Sequence, residues 1–343
     1  MKPQHTPTNG DPIPGPAFAP GCNHRRADLH LHSNFSGDVP NLPELSPRAL
    51  YEKAIVRGMD YFTLTDHDTM DGVLTLEREL EEEFDGRPPI PIIPGIEMKV
   101  RDPEIGHTVH INVLGLAREQ MGELMTLRHS MTAFLACCRQ HDLYHSYNHP
   151  FWFERGERPR LRTIAELVRR FPVIELNAGR IPQLNHRTVQ MAQKFDRQLV
   201  AASDSHTGQV GKAFTEAPGE TPGDFLRNIR AGACRAVPHH MAYREFMEEI
   251  TEAIDLVFAN QTAFHLKDSF LQQNPIARRI ARGLLGSQLL MRPGRLKRGV
   301  RIAMRLMAYG PAHFFILQQR RMHEQLGEVT LLPADAATSV DAA

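Results

Sequence analysis

The chain has 343 residues, 41% of them hydrophobic, and its 40 Lys and Arg cancel its 40 Asp and Glu. That is a globular composition, enough for one large domain with an appendage or for two modest domains. Four cysteines without a C-x-x-C spacing exclude a disulfide framework, and the lack of any run of about 18 apolar residues excludes a helical membrane span. Residues 1–20 are rich in proline and polar side chains and lack the apolar core of a secretory signal. A reducing, cytoplasmic setting is therefore expected. The informative residue type is histidine, present 18 times; its placement decides what it means.

Residues 1–24 read as a disordered leader. From residue 25 onward, short apolar runs alternate with longer amphipathic stretches. Strands are predicted over 27–32, 61–65, 90–100, 108–116, 143–148, 173–177 and 199–203. Helices are predicted over 47–57, 72–84, 120–141, 162–171 and 186–195. Such alternation implies parallel strands with crossover helices, and seven units suggest a closed or nearly closed barrel; an open doubly wound sheet gives the same rhythm. A strand over 235–238 closes this region, and a helix is expected over 243–266. Between Phe270 and His323 there is no Asp or Glu but eleven Lys or Arg, with Met, Leu and Ile interleaved. This basic amphipathic pattern reads first as a helical cap whose arginines snorkel outward, and otherwise as a surface for nucleic acid or an anionic membrane over 270–323. The expected division is a leader (1–24), a barrel (25–240), a basic helical extension (241–328) and a flexible tail (329–343).

His30 and His32 stand two residues apart on one strand and so share a face, where two imidazoles can grip one ion. Asp38 follows in the next loop. The second strand runs into Asp66-His67-Asp68, the third contains Glu97, and the fourth carries His110. The fifth ends in Asn148-His149-Pro150, the sixth is Val173-Ile174-Glu175-Leu176-Asn177, and the seventh ends in Ser203-Asp204-Ser205-His206. Metal-type ligands thus fall at or just past the C-terminal end of nearly every strand, the rim where parallel barrels carry their active sites. Imidazole with carboxylate suits Zn, Mn or Fe, and several carboxylates favour a cluster, because one can bridge two cations.

The order of these motifs resembles the PHP (polymerase and histidinol phosphatase) family over about residues 26–238. The matching pieces are Asp28-Leu29-His30-Leu31-His32-Ser33 with Ser36 and Asp38, then Thr65-Asp66-His67-Asp68-Thr69, Gly95-Ile96-Glu97, His110-Ile111-Asn112, Asn148-His149-Pro150 and Ser203-Asp204-Ser205-His206. The resemblance implies an α/β fold, a distorted (β/α)7 barrel, here with a C-terminal helical extension. It implies two or three divalent metal ions (Mn, Zn or Fe). His30, His32, Glu97 and Asp204 would hold the first; Glu97 would bridge to a second, completed by His110 and His149; Asp38, His67 and His206 would hold a third. Many relatives carry histidine where this chain has Asp38, so the third site is where it departs from the pattern.

From such a site a metal-dependent phosphoesterase mechanism follows. Two close cations lower the pKa of a shared water, giving a bridging hydroxide near neutral pH that attacks phosphorus in line. Arg180, just past the sixth strand, is the candidate phosphate clamp, since a guanidinium fork matches phosphate geometry; Lys212 is a weaker candidate. Asp68 or His206 is placed to manage a proton. The expected substrate is a phosphorylated small molecule or a nucleotide. Short RNA or DNA degraded 5′ to 3′, C–N bond hydrolysis, and a non-catalytic module with a membrane- or partner-binding extension are the alternatives. His107, at an odd offset from His110, should face away from the site, and His24, His141, His145, His239 and His240 should be solvated or supporting. Asp28 is expected to orient an imidazole, Asp66 to give a supporting hydrogen bond, and Glu175 to play a structural part.

Overall fold

The computed structural model describes residue 13 and residues 23–154, 156–157, 160–259 and 295–325. The chain opens with β1 (His24–Ala27), α1 (Pro47–Val56), β2 (Phe62–Leu64), α2 (Asp71–Phe84), β3 (Ile92–Val100) and β4 (Val109–Leu114). It continues through α3 (Arg118–Leu127), α4 (Met131–Gln140), β5 (Tyr144–Tyr147), α5 (Leu161–Arg170), β6 (Val173–Asn177), α6 (Pro182–Lys194) and β7 (Gln198–Ala202). It closes with β8 (Phe214–Pro218), α7 (Pro222–Arg230), β9 (Arg235–Val237), α8 (Tyr243–Ala259) and α9 (Arg295–Gln325).

Six strands form one curled sheet in the order β2-β3-β4-β5-β6-β7, and β1, β8 and β9 form a separate antiparallel sheet. The first predicted strand is therefore divided. His24–Ala27 pairs with β8, while the next residues fill the gap between the two ends of the large sheet. There Thr65 N–H donates to Leu31 O (2.8 Å), Asp204 N–H to His30 O (2.9 Å) and His32 N–H to Ser205 O (3.2 Å). With that segment as a seventh stave the barrel closes, which places His30 and His32 inside its rim. Every residue of β4, β5 and β6 is buried, as expected of strands covered on both faces.

One expectation needs correction. β4 runs antiparallel to both β3 and β5, so the barrel is not uniformly parallel. The eight residues between β3 and β4 contain no crossover helix, and without one two neighbouring strands can only run in opposite directions. His110 thus reaches the ligand rim from the beginning of its strand rather than from its end.

The helices follow local chemistry. Ser46 and Thr221 accept hydrogen bonds from Ala49 N and Asp224 N at the first turns of α1 and α7, each followed by proline at the first helical position. The single helix expected over 120–141 is broken into α3 and α4, because Ser130 caps a new start with a bond from Ala133 N. α2 buries Val73, Leu76 and Leu80, and α5 buries Ile164, Leu167 and Val168, stripes of helical period facing the sheet. Of the expected leader, His24 belongs to β1, and Ile13 is buried with its N–H on Ala236 O; its other residues up to 22 lie outside the described residues. So do 260–294, which include the end of the helix expected over 243–266, and the tail.

Gly95 shows how tightly the site-bearing strand is held. A Cβ there would lie 2.7 Å from Thr63 Oγ1 and 2.8 Å from both Leu114 Cδ2 and Leu64 O. Gly95→Ala is therefore expected to cost about 2 kcal/mol through overpacking, read as a lower denaturant midpoint at unchanged slope. A variant as stable as the parent would contradict this contact.

Candidate metal centre

Glu97 sits in β3 at the middle of the barrel rim and is fully buried. Its Oε2 lies 3.2 Å from His30 Nε2, 3.3 Å from His32 Nε2 and 2.9 Å from His67 Nδ1. Its Oε1 lies 3.0 Å from His110 Nδ1 and 3.2 Å from His149 Nε2. One carboxylate thus meets five imidazoles. Asp204 Oδ1 is 3.3 Å from both His30 Nε2 and His32 Nε2. On the outer side, Asp38 Oδ2 faces His67 Nε2 at 3.1 Å and His206 Nε2 at 3.0 Å. The nine residues picked from the strand ends converge within one cluster.

Whether this donor set suits metal ions can be tested on its geometry. Glu97 Oε2 and His67 Nδ1 are both buried and neither makes an acceptable hydrogen bond, although they are 2.9 Å apart. A buried polar atom left without a hydrogen bond calls for another partner, and an ion is one that would satisfy both. His30 Nε2, His32 Nε2 and Asp204 Oδ1 form a triangle with edges of 3.1–3.3 Å, and Glu97 Oε2 lies 3.2 and 3.3 Å from its two imidazole corners. An ion about 2 Å from each corner of such a triangle sits just off its plane, within the reach of imidazole and carboxylate to a divalent transition metal. The residues therefore fit the group. Beyond this triad, donor atoms gather as His32-Asp38-His67-His206, His67-Glu97-His110 and His30-Glu97-His149. His110 and His149 share Oε1 of Glu97 but fall into different three-donor groups.

Charge is arranged to match. Burial would push Glu97, Asp38 and Asp204 up, yet the surrounding histidines hold all three well below the usual carboxylate range. Burial would likewise lower His67 and His206, but Glu97 and Asp38 around the first, and Asp38 and Asp204 around the second, raise them to about 10 and about 9. Burial wins at His110, which falls to about 4, and at His149. Without an ion, protons on His30, His67 and His206 balance the carboxylates, and a metal must displace them. His149 and Asp204 also hold left-handed backbone, at φ +30° and +52°, conformations that non-glycine residues adopt where the surroundings enforce them.

The supporting residues differ from expectation. Glu175 is the carboxylate that orients an imidazole: its Oε2 is 2.7 Å from His30 Nδ1. A proton held on Nδ1 leaves the Nε2 lone pair facing the cluster. Asn177 donates from Nδ2 to Glu175 (2.7 Å) and Asp204 (3.0 Å), and Asn148 donates to Glu97 Oε1 (3.1 Å); side-chain amides carry no sequence signal of this role. Asp28 instead accepts backbone N–H bonds from Ser203 and Gly211 and ties the first stave to the loop after β7, burial pushing its carboxyl up to about 6. Asp66 accepts from Ser33 N and Oγ, a supporting part as expected. His107, His145 and His240 are buried rather than solvated. His107 packs edge-on against Phe153, outside the cavity lining. Glu175→Gln is expected to weaken metal binding about tenfold or more, measured by chelator competition; unchanged affinity would remove Glu175 from the site.

A cavity of about 810 Å³ opens above the cluster, lined by Lys99, Arg101, Arg180 and Lys212 and by the apolar Trp152, Met241, Phe246 and Phe315. Arg101 and Lys212 are paired with Glu154 and Glu249. Arg180 is 6% exposed, makes no ion pair within 4 Å among the described residues, and has a buried Nε without a hydrogen-bond partner. Burial lowers its pKa to about 10, which leaves it charged at neutral pH. Asp68 is turned elsewhere: its carboxylate accepts from Lys99 N (3.1 Å) and faces Arg128, and it does not line the cavity.

Comparison with known proteins places these features. A family model described as PHP domain matches residues 28–254. The phosphoribosyl 1,2-cyclic phosphate 1,2-diphosphodiesterase of Eggerthella lenta is 37% identical over 89 residues, 26% of this chain, and the match spans only 30% of that enzyme's length. The crystal structure of PsfC from Pseudomonas syringae is 21% identical with a TM-score of 0.50, covering 68% of this chain and 99% of PsfC, a likeness of fold. A structure assigned as a metal-dependent phosphoesterase, from Bifidobacterium adolescentis, is 16% identical with a TM-score of 0.40, covering 60% of this chain and 96% of the other.

Proposed function

The chain belongs to the PHP domain family, and from that premise we propose that it is a metal-dependent phosphoesterase acting on a phosphomonoester or nucleotide. The observation that carries this reading is Glu97 meeting five imidazoles beneath a cavity whose wall holds the unpaired guanidinium of Arg180. His30, His32, Glu97 and Asp204 would hold one ion, Glu97 with His110 and His149 a second, and Asp38, His67 and His206 a third. When bound, Mn, Zn or Fe supplies Lewis acidity toward phosphoryl oxygens and activation of water near neutral pH.

The chain's own groups do the rest. Arg180 binds phosphoryl oxygens through its fork, at a depth where water competes little. Glu175 and Asn177 fix the His30 ring and the Asp204 carboxylate, so the ligands need not reorganise. Trp152, whose ring packs against His110 and His149 at 4.6 and 5.5 Å, excludes water beside the cluster. His206, 33% exposed, is the ring able to exchange a proton with solvent; Asp68 has no such access to the cavity. A cytoplasmic setting agrees with the free thiols of Cys137, Cys138 and Cys234. Among the described residues no helix is long and apolar enough to cross a membrane. On α9, Ile302, Leu306, Met307, Tyr309 and Phe314 are exposed among arginines, which favours an anionic lipid surface over nucleic acid as a further partner; co-sedimentation with anionic vesicles checks it.

The test is turnover. Mn-loaded protein is incubated with AMP, histidinol phosphate and a 5′-phosphorylated oligonucleotide, and release of phosphate or mononucleotide is followed. Phosphate release from the small esters supports the reading, and stepwise mononucleotide release supports the exonuclease variant. No turnover by protein of confirmed metal content would sink both, leaving C–N hydrolysis or a non-catalytic role.

A further inference from the structure

The helix that forms the C-terminal part of the described structure reaches into the cavity wall, well past the residues that the family match covers. α9 presents Met304, Ala312, Ile316 and Gln319 as its buried face. Gln319 is 3% exposed, and its amide is committed at both ends. Its Oε1 accepts from Ile181 N (3.0 Å) and its Nε2 donates to Gly179 O (3.1 Å). These are the two residues that flank Arg180. One turn earlier, Phe315 lines the cavity, with the Arg180 guanidinium carbon 5.9 Å and the Phe246 ring of α8 5.5 Å from its ring centroid. Met241 N also donates to Arg180 O (2.9 Å). The short turn that carries Arg180 is thus clamped by the extension, while its guanidinium keeps an unpartnered Nε.

A side chain amide that satisfies one donor and one acceptor on a loop costs little in chain freedom and holds that loop to one geometry. A cation stacked against an aromatic face keeps its direction without spending its N–H groups, which stay available for an anion. We propose that α9 belongs to the substrate site: Gln319 and Phe315 are positioning residues that hold Arg180 toward the phosphoryl group, so the C-terminal extension sets affinity for the phosphorylated substrate without entering the chemistry. The idea rests on Arg180 as the phosphate anchor of the phosphoesterase reading, and it makes the extension part of the active-site wall rather than a separate appendage.

The experiment uses the full-length, Mn-loaded chain and two readouts: calorimetric affinity for inorganic phosphate, and KM and kcat for whichever ester is turned over. Gln319→Ala and Phe315→Leu should weaken phosphate binding and raise KM about tenfold, with kcat within about twofold. In an Arg180→Ala background the same substitutions should have no further effect, because their action passes through the guanidinium. Phe314→Ala, on the exposed side of the helix, should change neither quantity. Metal content and thermal midpoint confirm that each variant is folded. Equal losses with and without Arg180, or unchanged affinity in Gln319→Ala, would overturn the proposal. If the parent protein turns over no phosphoester yet Gln319→Ala still weakens phosphate binding through Arg180, the positioning role stands and the reaction assignment fails.

Discussion

Glu97→Gln is expected to empty the cluster of metal and to lower phosphoester turnover by at least about a thousandfold, roughly 4 kcal/mol of transition-state stabilisation. The substitution is nearly isosteric, so it isolates charge and ligation from packing. Glutamine cannot donate two anionic oxygens, and Glu97 uses both: Oε2 toward His30, His32 and His67, Oε1 toward His110 and His149. Of the four donor groups at the cluster, two include Glu97 and the other two contain imidazoles within 3.3 Å of its Oε2. The same replacement removes one of the anions that hold protons on His30 and His67 in the metal-free state, so both pKa values fall, while Glu175 and Asp204 still face the first ring and Asp38 the second. Elemental analysis of the purified variant and phosphate release by the Mn-supplemented protein are the measurements. A variant that retained its metal complement and full activity would refute the bridging assignment. His149→Ala should do less, because it takes one ligand from one group and leaves the His30-His32-Asp204 set intact.

Arg180→Ala is expected to raise KM for a phosphorylated substrate by about 10- to 100-fold, the worth of one or two charge-assisted hydrogen bonds formed out of water. The fold should tolerate it. Arg180 makes no close ion pair among the described residues, so its removal strands no buried carboxylate, and the thermal midpoint should move little beside the change in KM. Arg180→Lys should not restore the loss. Burial already draws the arginine down to about 10, and a lysine at the same depth would start about two units lower and approach neutrality; it also lacks the fork that matches two phosphate oxygens. Steady-state kinetics on the parent and the two variants, read as KM against kcat, decide the point. If KM were unaffected by Arg180→Ala, the anion would be held by the metal ions or by Lys99, Arg101 or Lys212, the last two already paired with Glu154 and Glu249.

Much of the molecule was legible before its structure. The strand-helix rhythm marked the staves, and the ligands were visible because each is a residue type with few other reasons to end an apolar run. What escaped has identifiable causes. β8 was missed because its sequence, Phe214-Thr215-Glu216-Ala217-Pro218, contains a charge where a strand would be buried; Glu216 is buried there because Arg26 of β1 and Arg235 of β9 pair with it from both sides. Those arginines lie about 190 and 19 residues away in sequence, so no local window contains the reason. The antiparallel course of β4 was available in the missing crossover helix and was outweighed by the regular alternation around it. Asp68 looked like a proton carrier because it adjoins His67, yet left-handed backbone turns it to Lys99 N.

The sequence by itself determined the chemistry on offer: which imidazoles and carboxylates the strand ends carry and in which order, the donor set on which the proposed metal-dependent reaction rests. Those properties belong to residue types and to a two-residue period, and both are local. Tertiary structure alone decided the distances. It made Glu97 the common neighbour of five rings, chose Glu175 over Asp28 to orient His30, closed the barrel through residues 28–32 rather than through a seventh ladder, and brought Gln319 and Phe315 from α9 against the Arg180 turn. Each of these joins residues tens to more than a hundred positions apart. Such contacts are set by how the buried faces pack together, a property of the whole chain that no segment carries alone.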